Sequence, residues 1–212
     1  MIGIIAGLYI TNAYENRKLV KAKNNALEQV AIEITNNRDT LQIYQDTLTS
    51  IFNACEYVFP QIQIKDELTL IIHEDSLDNF TRQSKRIFIY KEHEFVTKDS
   101  IKLSGDLELY FNSRLIILDL TQVTWDAYKE ANLLAITPFE CLRSLEDVYS
   151  LQKDVTELNK EWRNIFMRAE FMKNAETRAS FLKLWEALLM KQKILLRFYE
   201  GFSEKEMIEN CI

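Results

Sequence analysis

Apolar and aromatic residues recur at alternating intervals of three and four along the first quarter of the chain. The positions are Val20, Lys23, Leu27, Val30, Ile34, Asn37, Leu41, Tyr44, Leu48, Ile51, Cys55 and Val58. Ten of these twelve are apolar or aromatic, which is the heptad pattern of a helix face seated on partner helices. No Gly or Pro interrupts it before Pro60. The pattern therefore predicts a rod of roughly 60 Å, at about 1.5 Å per residue. Asn37 lies on this seam, where a polar side chain either fixes register or faces water or the middle of the chain.

A second helical pattern opens at Thr137-Pro138-Phe139-Glu140, with a capping hydroxyl, a proline in the first turn and a glutamate three residues after the cap. Its seam is Val148, Leu151, Val155, Leu158, Trp162, Ile165, Ala169 and Met172. A polar stretch from Lys173 to Arg178 separates it from a third stripe of Phe181, Leu184, Trp185, Leu188, Leu195, Leu196 and Tyr199. Leu182, Leu189, Ile194 and Phe198 widen that stripe, as expected of a helix touching two neighbours. Gly201 is placed to provide a left-handed C-cap, and Ser203-Glu204-Lys205-Glu206 reads as a capping box opening a short C-terminal helix over 203–212.

These patterns predict a mainly α fold: a long-helix antiparallel coiled-coil-like bundle with a mixed middle region. Residues 138–173 and 175–200 form the hairpin, within a segment 138–202, and pack on the long amphipathic helix of 15–59. Trp162, Phe166, Trp185 and Leu188 are expected inside, and 15–212 is taken as one folded domain. The first helix outruns each partner, by about 60 Å to about 37 Å. Part of its seam must then be covered by the middle region or by another chain, and self-association through the 20–58 seam or its flanks is predicted.

The middle region, 60–137, is less regular. Gln61 to Arg82 reads as one or two short helices. Arg86 to Tyr90 reads as a strand that pairs with Glu94–Thr97 across Lys91-Glu92-His93, a small β-hairpin. Leu107 to Leu120 is read as helix, although Leu115-Ile116-Ile117-Leu118 also fits a strand.

Residues 1–10, MIGIIAGLYI, are wholly apolar and lead through Thr11–Tyr14 into Glu15-Asn16-Arg17-Lys18. A bilayer core takes about 20 apolar residues in a helix. Residues 1–14 are therefore read as a partial transmembrane or anchor segment, the second half of a span whose start lies upstream. Tyr9 and Tyr14 suit the headgroup level, and Arg17, Lys18, Lys21 and Lys23 would stop insertion. With no basic leader and no cleavage site, a signal peptide is disfavoured. The competing reading is a terminal helix buried in a soluble bundle.

Gly7 to Lys18 resembles the anchor-to-helix junction of an uncharacterised bacterial family of short membrane-anchored helical proteins, a domain of unknown function. There an apolar span is followed by Asn-x-Trp-Asn/Glu-Glu/Asn-x-Arg-Lys and a long amphipathic helix; Tyr14 stands where Trp is usual. Trp125 to Ile136 resembles the same family's aromatic-led helix turning through small residues and Asn or Gly into a Leu-rich step. Glu140, Leu142, Leu145 and Tyr149 match the helix after it. Asp99 to Leu109 is a weaker echo that leaves an internal repeat open. The resemblance implies no activity. It implies a bacterial inner membrane location with the folded part outside the cytoplasm, whereas the basic residues after the apolar segment argue for the cytoplasmic side.

Composition narrows the functions further. Four glycines and two prolines in 212 residues disfavour turn-rich β and Rossmann-type folds. A net charge of −6 with no basic block disfavours nucleic acid as a partner. Cys55, Cys141 and Cys211 form neither a metal pair nor a disulfide framework by spacing; Cys55 and Cys141, on or beside apolar stripes, are read as small buried hydrophobes, and the redox compartment stays open. His73 and His93 each sit beside carboxylates, but in no ligand spacing. No catalytic, cofactor-binding or metal-ligating residue is assigned, and no cofactor is expected. Two functions remain. One is a non-catalytic, membrane-anchored protein acting through protein–protein contact or self-association. The other is an extracytoplasmic sensor or small-ligand-binding domain. A bare apolar groove would favour the first, and a pocket lined by polar groups the second.

Overall fold

The computed structural model describes residues 2–59, 68–84, 87–107, 117–168, 171, 174–203 and 211. The fold is mainly α. Helix α1 runs Ile2–Val58, α2 Leu77–Ser84, α3 Val123–Glu130, α4 Phe139–Met167 and α5 Ala175–Ser203. Strands β1 (Leu68–His73), β2 (Phe88–Thr97) and β3 (Ser100–Leu107) form one antiparallel sheet in the order β1-β3-β2. The chain divides into two compact units. The first holds Met1–Leu41, Asp119–Asp154 and Ile194–Ile212; the second holds Gln42–Leu118 and Val155–Lys193.

In the first unit, the seam of α1 is covered from Lys23 onward: Lys23, Leu27, Val30, Ile34, Asn37 and Leu41 are all buried. Val20, the first seam position, stays half exposed. Buried in the same unit are Leu145 and Val148 in the early turns of α4, Leu195 and Tyr199 in the late turns of α5, and Trp125 and Tyr128 of α3. Hydrogen bonds from Tyr149 to Glu33 and from Asn37 to Gln152 show that α1 and α4 run parallel there. Between α3 and α4, Asn132 takes the left-handed conformation at φ 56°, the turn that an Asn tolerates between a helix and the short 3-10 step Leu133–Ile136.

In the second unit, Tyr44, Leu48, Ile51, Cys55 and Val58 continue the buried seam of α1. Trp162, Trp185 and Leu188 are completely enclosed. The pairs Trp162–Trp185, Trp162–Phe181 and Phe166–Phe181 lie 5.0, 5.9 and 6.4 Å apart, as an antiparallel α4–α5 hairpin requires. Phe166 is only half-buried, against expectation. Helix α4 also stops at Met167, short of the predicted residue 173. The cause is Phe171, which turns inward against Phe181 at 4.4 Å and Phe59 at 5.8 Å. Ala169 and Met172 lie outside the described residues.

The sheet corrects the reading of the middle region. Leu68–His73 is a strand rather than part of a helix, because it pairs along its whole length with β3, from Leu68 opposite Gly105 to His73 opposite Ser100. Of the helices expected between Gln61 and Arg82, the described residues hold α2 and the 3-10 turn Glu74–Ser76 before it; residues 61–67 lie outside those described. The predicted turn at Lys91-Glu92-His93 lies inside β2, which hairpins with β3 through Lys98-Asp99. Those polar residues mark an edge strand facing water, not a loop. On the central strand, Ile101, Leu103 and Gly105 alternate inward. Since β3 is a strand and α3 a helix, Asp99–Leu109 does not repeat the local fold of 125–136. Leu107 ends β3 and residues 117–120 are irregular; the rest of the helix expected over 107–120 lies outside the described residues.

Two caps differ as well. Gly201 is helical, and no glycine among the described residues has positive φ. Burial of Phe202 carries α5 on to Ser203 in place of a stop at Gly201. The Thr137 hydroxyl does not cap α4 but donates to Leu133 O at 2.8 Å and meets the Tyr128 hydroxyl. Ser203, the first residue of the expected capping box at 203–206, is the last of α5; the rest of the box lies outside the described residues.

Candidate functional site

The densest polar arrangement lies inside the first unit. Glu33 of α1 accepts a hydrogen bond from the Tyr149 hydroxyl at 2.6 Å and one from Thr124 N at 2.8 Å. Thr124 belongs to the first turn of α3, whose own N-cap residue Gln122 makes no side-chain capping bond. A carboxylate from another helix therefore satisfies that helix end and its dipole. One turn along α1, Asn37 Nδ2 donates to Thr121 O at 2.7 Å and to Gln152 Oε1 at 3.2 Å, while Asn37 Oδ1 accepts from Thr121 N at 2.9 Å. Gln152 Oε1 also accepts from the Tyr199 hydroxyl at 2.6 Å. Trp125 lies flat on Tyr149, with ring centres 5.4 Å apart and planes 4° from parallel.

Burial first, then the hydrogen bond to Glu33 and its charge, pushes the Tyr149 hydroxyl far above its ordinary range. Burial and the charge of Glu33 do the same to Tyr199. In the second unit burial lifts Tyr44 to about 12, although its hydroxyl donates to Asn159 Oδ1 at 2.7 Å. These tyrosines are neutral donors at any physiological pH. They position backbone and helices, and neither groove described below is lined by them.

A second construction in the first unit overturns the reading of the cysteines. Cys141, at the start of α4, and Cys211 are joined by a disulfide with Cα atoms 5.4 Å apart, and both are buried. The Lys23 ammonium, itself buried, donates to Cys211 O at 3.0 Å. The end of the chain is thus tied to α4 by a covalent bond and to α1 by a charged hydrogen bond. A separation of 70 residues hid the pairing, since spacing alone marks only short motifs. Cys55 keeps a free thiol, which burial pushes far up.

The two histidines stand on opposite edges of the sheet, His73 on β1 opposite Ser100 and His93 on β2 opposite Leu103. Both are exposed, and the structure does not bring them together. Among the described residues no group of three His, Cys, Asp or Glu side chains could hold a metal ion.

Among the described residues, a shallow groove lies between α4 and α5 in each unit. In the first unit it measures about 340 Å³ and is lined by Ser144, Asp147, Arg197, Phe198, Gly201 and Phe202. In the second unit a groove of about 400 Å³ is lined by Glu161, Ile165, Phe171, Thr177, Phe181 and Leu184, among others. Both are open clefts with mainly apolar floors. Sequence reasoning missed Glu33 and Gln152, which lie off the heptad seam and carry no motif. It placed Tyr149 and Trp125 in their stretches without foreseeing that they stack. No family model matches the chain, and neither the curated proteins nor the solved structures contain a match.

Proposed function

We propose that this chain is a membrane-anchored helical protein that works by contact with other protein surfaces, its folded part lying outside the cytoplasm of a bacterium. The reading is carried by the unbroken course of α1. The helix is apolar over its first turns, from Ile2 to Ile10. It then runs through ten residues, 13–22, that are all exposed, before its seam is first covered at Lys23. A helical stretch with no tertiary partner is marginal in water, whereas an apolar helix end is stabilised where it meets lipid. Among the described residues no helix is long and apolar enough to cross a membrane; residues 1–14 are proposed as the segment that brings the chain to the bilayer. The likeness of Gly7–Lys18 to the anchor junction of membrane-bound proteins is part of the same proposal.

The disulfide supports an oxidising compartment outside the cytoplasm. Of the four basic residues that argue for the opposite side, Lys23 is buried on Cys211 O and does not flank a membrane. Arg17, Lys18 and Lys21 remain exposed, and the disulfide is given the greater weight because a cytosol keeps such bonds reduced. The open apolar grooves favour protein contact over capture of a small ligand, which calls for an enclosed pocket with convergent polar groups.

The test is fractionation of the full chain and of a chain lacking residues 1–14. Deletion is expected to move the protein from the membrane to the soluble fraction, and equal distribution would sink the anchor. A reporter fused after Ile212 and active only in the cytoplasm would sink the location.

A further inference from the structure

From the groove of the first unit we infer a homotypic interface: the cleft between α4 and α5 receives α5 of a second copy, related by a two-fold axis running along the helices. The inference rests on the contact reading above and not on the anchor. Ile194, Phe198 and Gly201 are spaced four and three apart on one side of α5. Leu195, Leu196, Tyr199 and Phe202 bury the other side. Ile194 and Phe198 belong to the face expected to touch a second neighbour, yet they are 40% and 43% exposed. At Gly201, among the described residues, no atom beyond its chain neighbours and the adjoining helix backbone lies within 4 Å of the place where a Cβ would sit. A large side chain and a hollow therefore lie one turn apart on the same face, which is what a self-complementary patch requires.

Charge selects the partner and the direction. Asp147 stands on the α4 rim of the groove and Arg197 on the α5 rim, and among the described residues neither is in an ion pair. A two-fold axis parallel to the helices exchanges the rims, placing the Arg197 of one copy over the Asp147 of the other, twice. A two-fold axis lying in the patch but across the helices would set Asp147 against Asp147 and Arg197 against Arg197, which is unfavourable. The parallel arrangement also leaves both α1 N-termini pointing the same way, so two copies can sit on one membrane.

The experiment is light scattering on the full chain in mild detergent across a hundredfold concentration range, with Asp147→Arg, Arg197→Asp and their equimolar mixture. The wild-type chain is expected to form dimers. Each variant alone confronts like charges twice and should weaken the dimer by about tenfold or more. The mixture restores both opposite-charge pairs and should dimerise like the wild type. Such rescue cannot come from a chain that has failed to fold, since mixing does not refold it. A wild type that stays monomeric throughout would overturn the inference, whether the groove is filled by the chain's own residues after Ser203 or by another protein. Single variants that dimerise normally, or a mixture no better than either variant, would overturn it too. Membrane retention is read separately on the same samples, so failure of the interface and failure of the anchor are distinguishable.

Discussion

Replacing Glu33 with alanine should be among the most damaging single changes to the first unit. The carboxylate holds two donors, the Tyr149 hydroxyl at 2.6 Å and Thr124 N at 2.8 Å. Tyr149 is 4% exposed, so its hydroxyl has no water to turn to. A hydrogen bond to a charged group is worth about 1.5–3 kcal/mol, and an orphaned buried donor costs about 1–3 kcal/mol. Adding the uncapped first turn of α3, at about 0.5–1 kcal/mol, the expected loss is about 3–5 kcal/mol, because the first two terms overlap. For a chain of this length that lowers the melting temperature by about 6–20 °C. Tyr149→Phe removes only the shared bond and should cost about 1.5–3 kcal/mol. The double variant should fall short of the summed single effects by about 1.5 kcal/mol or more, since both remove one contact. Glu33→Gln is milder, because its amide still accepts from Thr124 N and can donate to Tyr149. Urea unfolding followed by far-UV circular dichroism measures all four. A loss for Glu33→Ala within about 0.5 kcal/mol, or strict additivity, would refute the assignment of this carboxylate as the clamp on α3.

Reduction of the disulfide, or Cys141→Ser, should destabilise the first unit by about 4 kcal/mol on the loop-closure account, for a 70-residue separation. Peptide mapping of freshly isolated protein should find Cys141 and Cys211 linked; finding both thiols open to alkylation would contradict the structure. Stability should also fall in alkali. Tyr149, Tyr199 and Tyr44 are raised in the folded state, the last to about 12, and ionise near their ordinary value of about 10 once unfolded. Their contribution is therefore complete below about pH 10 and lost above it, by at most about 1.4 kcal/mol per pH unit for each tyrosine. A urea midpoint equal at pH 9 and 11 would contradict this, and Tyr149→Phe should flatten the decline. Gln192 is fully buried in α5, and no described residue hydrogen-bonds its amide. Gln192→Met, similar in volume and apolar, should raise stability by about 1 kcal/mol or more in a thermal melt, and a lower melting temperature would show that the amide has a partner.

The long helices were legible because their determinants are local and repeat. From Lys23 to Val58 every seam position that the three-and-four spacing selects is buried, and the stripe Phe181–Tyr199 faces inward as its period requires. The scarcity of glycine and proline left little else for these segments to be. What the tertiary structure decided depends on residues far apart in the chain. Leu68–His73 is a strand because β3 lies beside it, and Lys91-Glu92-His93 is polar because β2 is an edge; neither fact is contained in those residues. Phe171 ends α4 early, and Phe202 carries α5 past Gly201, because packing on a distant aromatic or apolar surface outweighs a local stop or continuation. The same reason hid the chemistry of the first unit. Lys23 and Asn37 looked like flaws in an apolar seam until Cys211 O and the backbone of Thr121 were placed against them. Cys141 looked like a small hydrophobe with no link to Cys211, because a disulfide is a matter of distance in space. Periodicity told which faces of these helices are buried, and only the fold told which polar groups meet there.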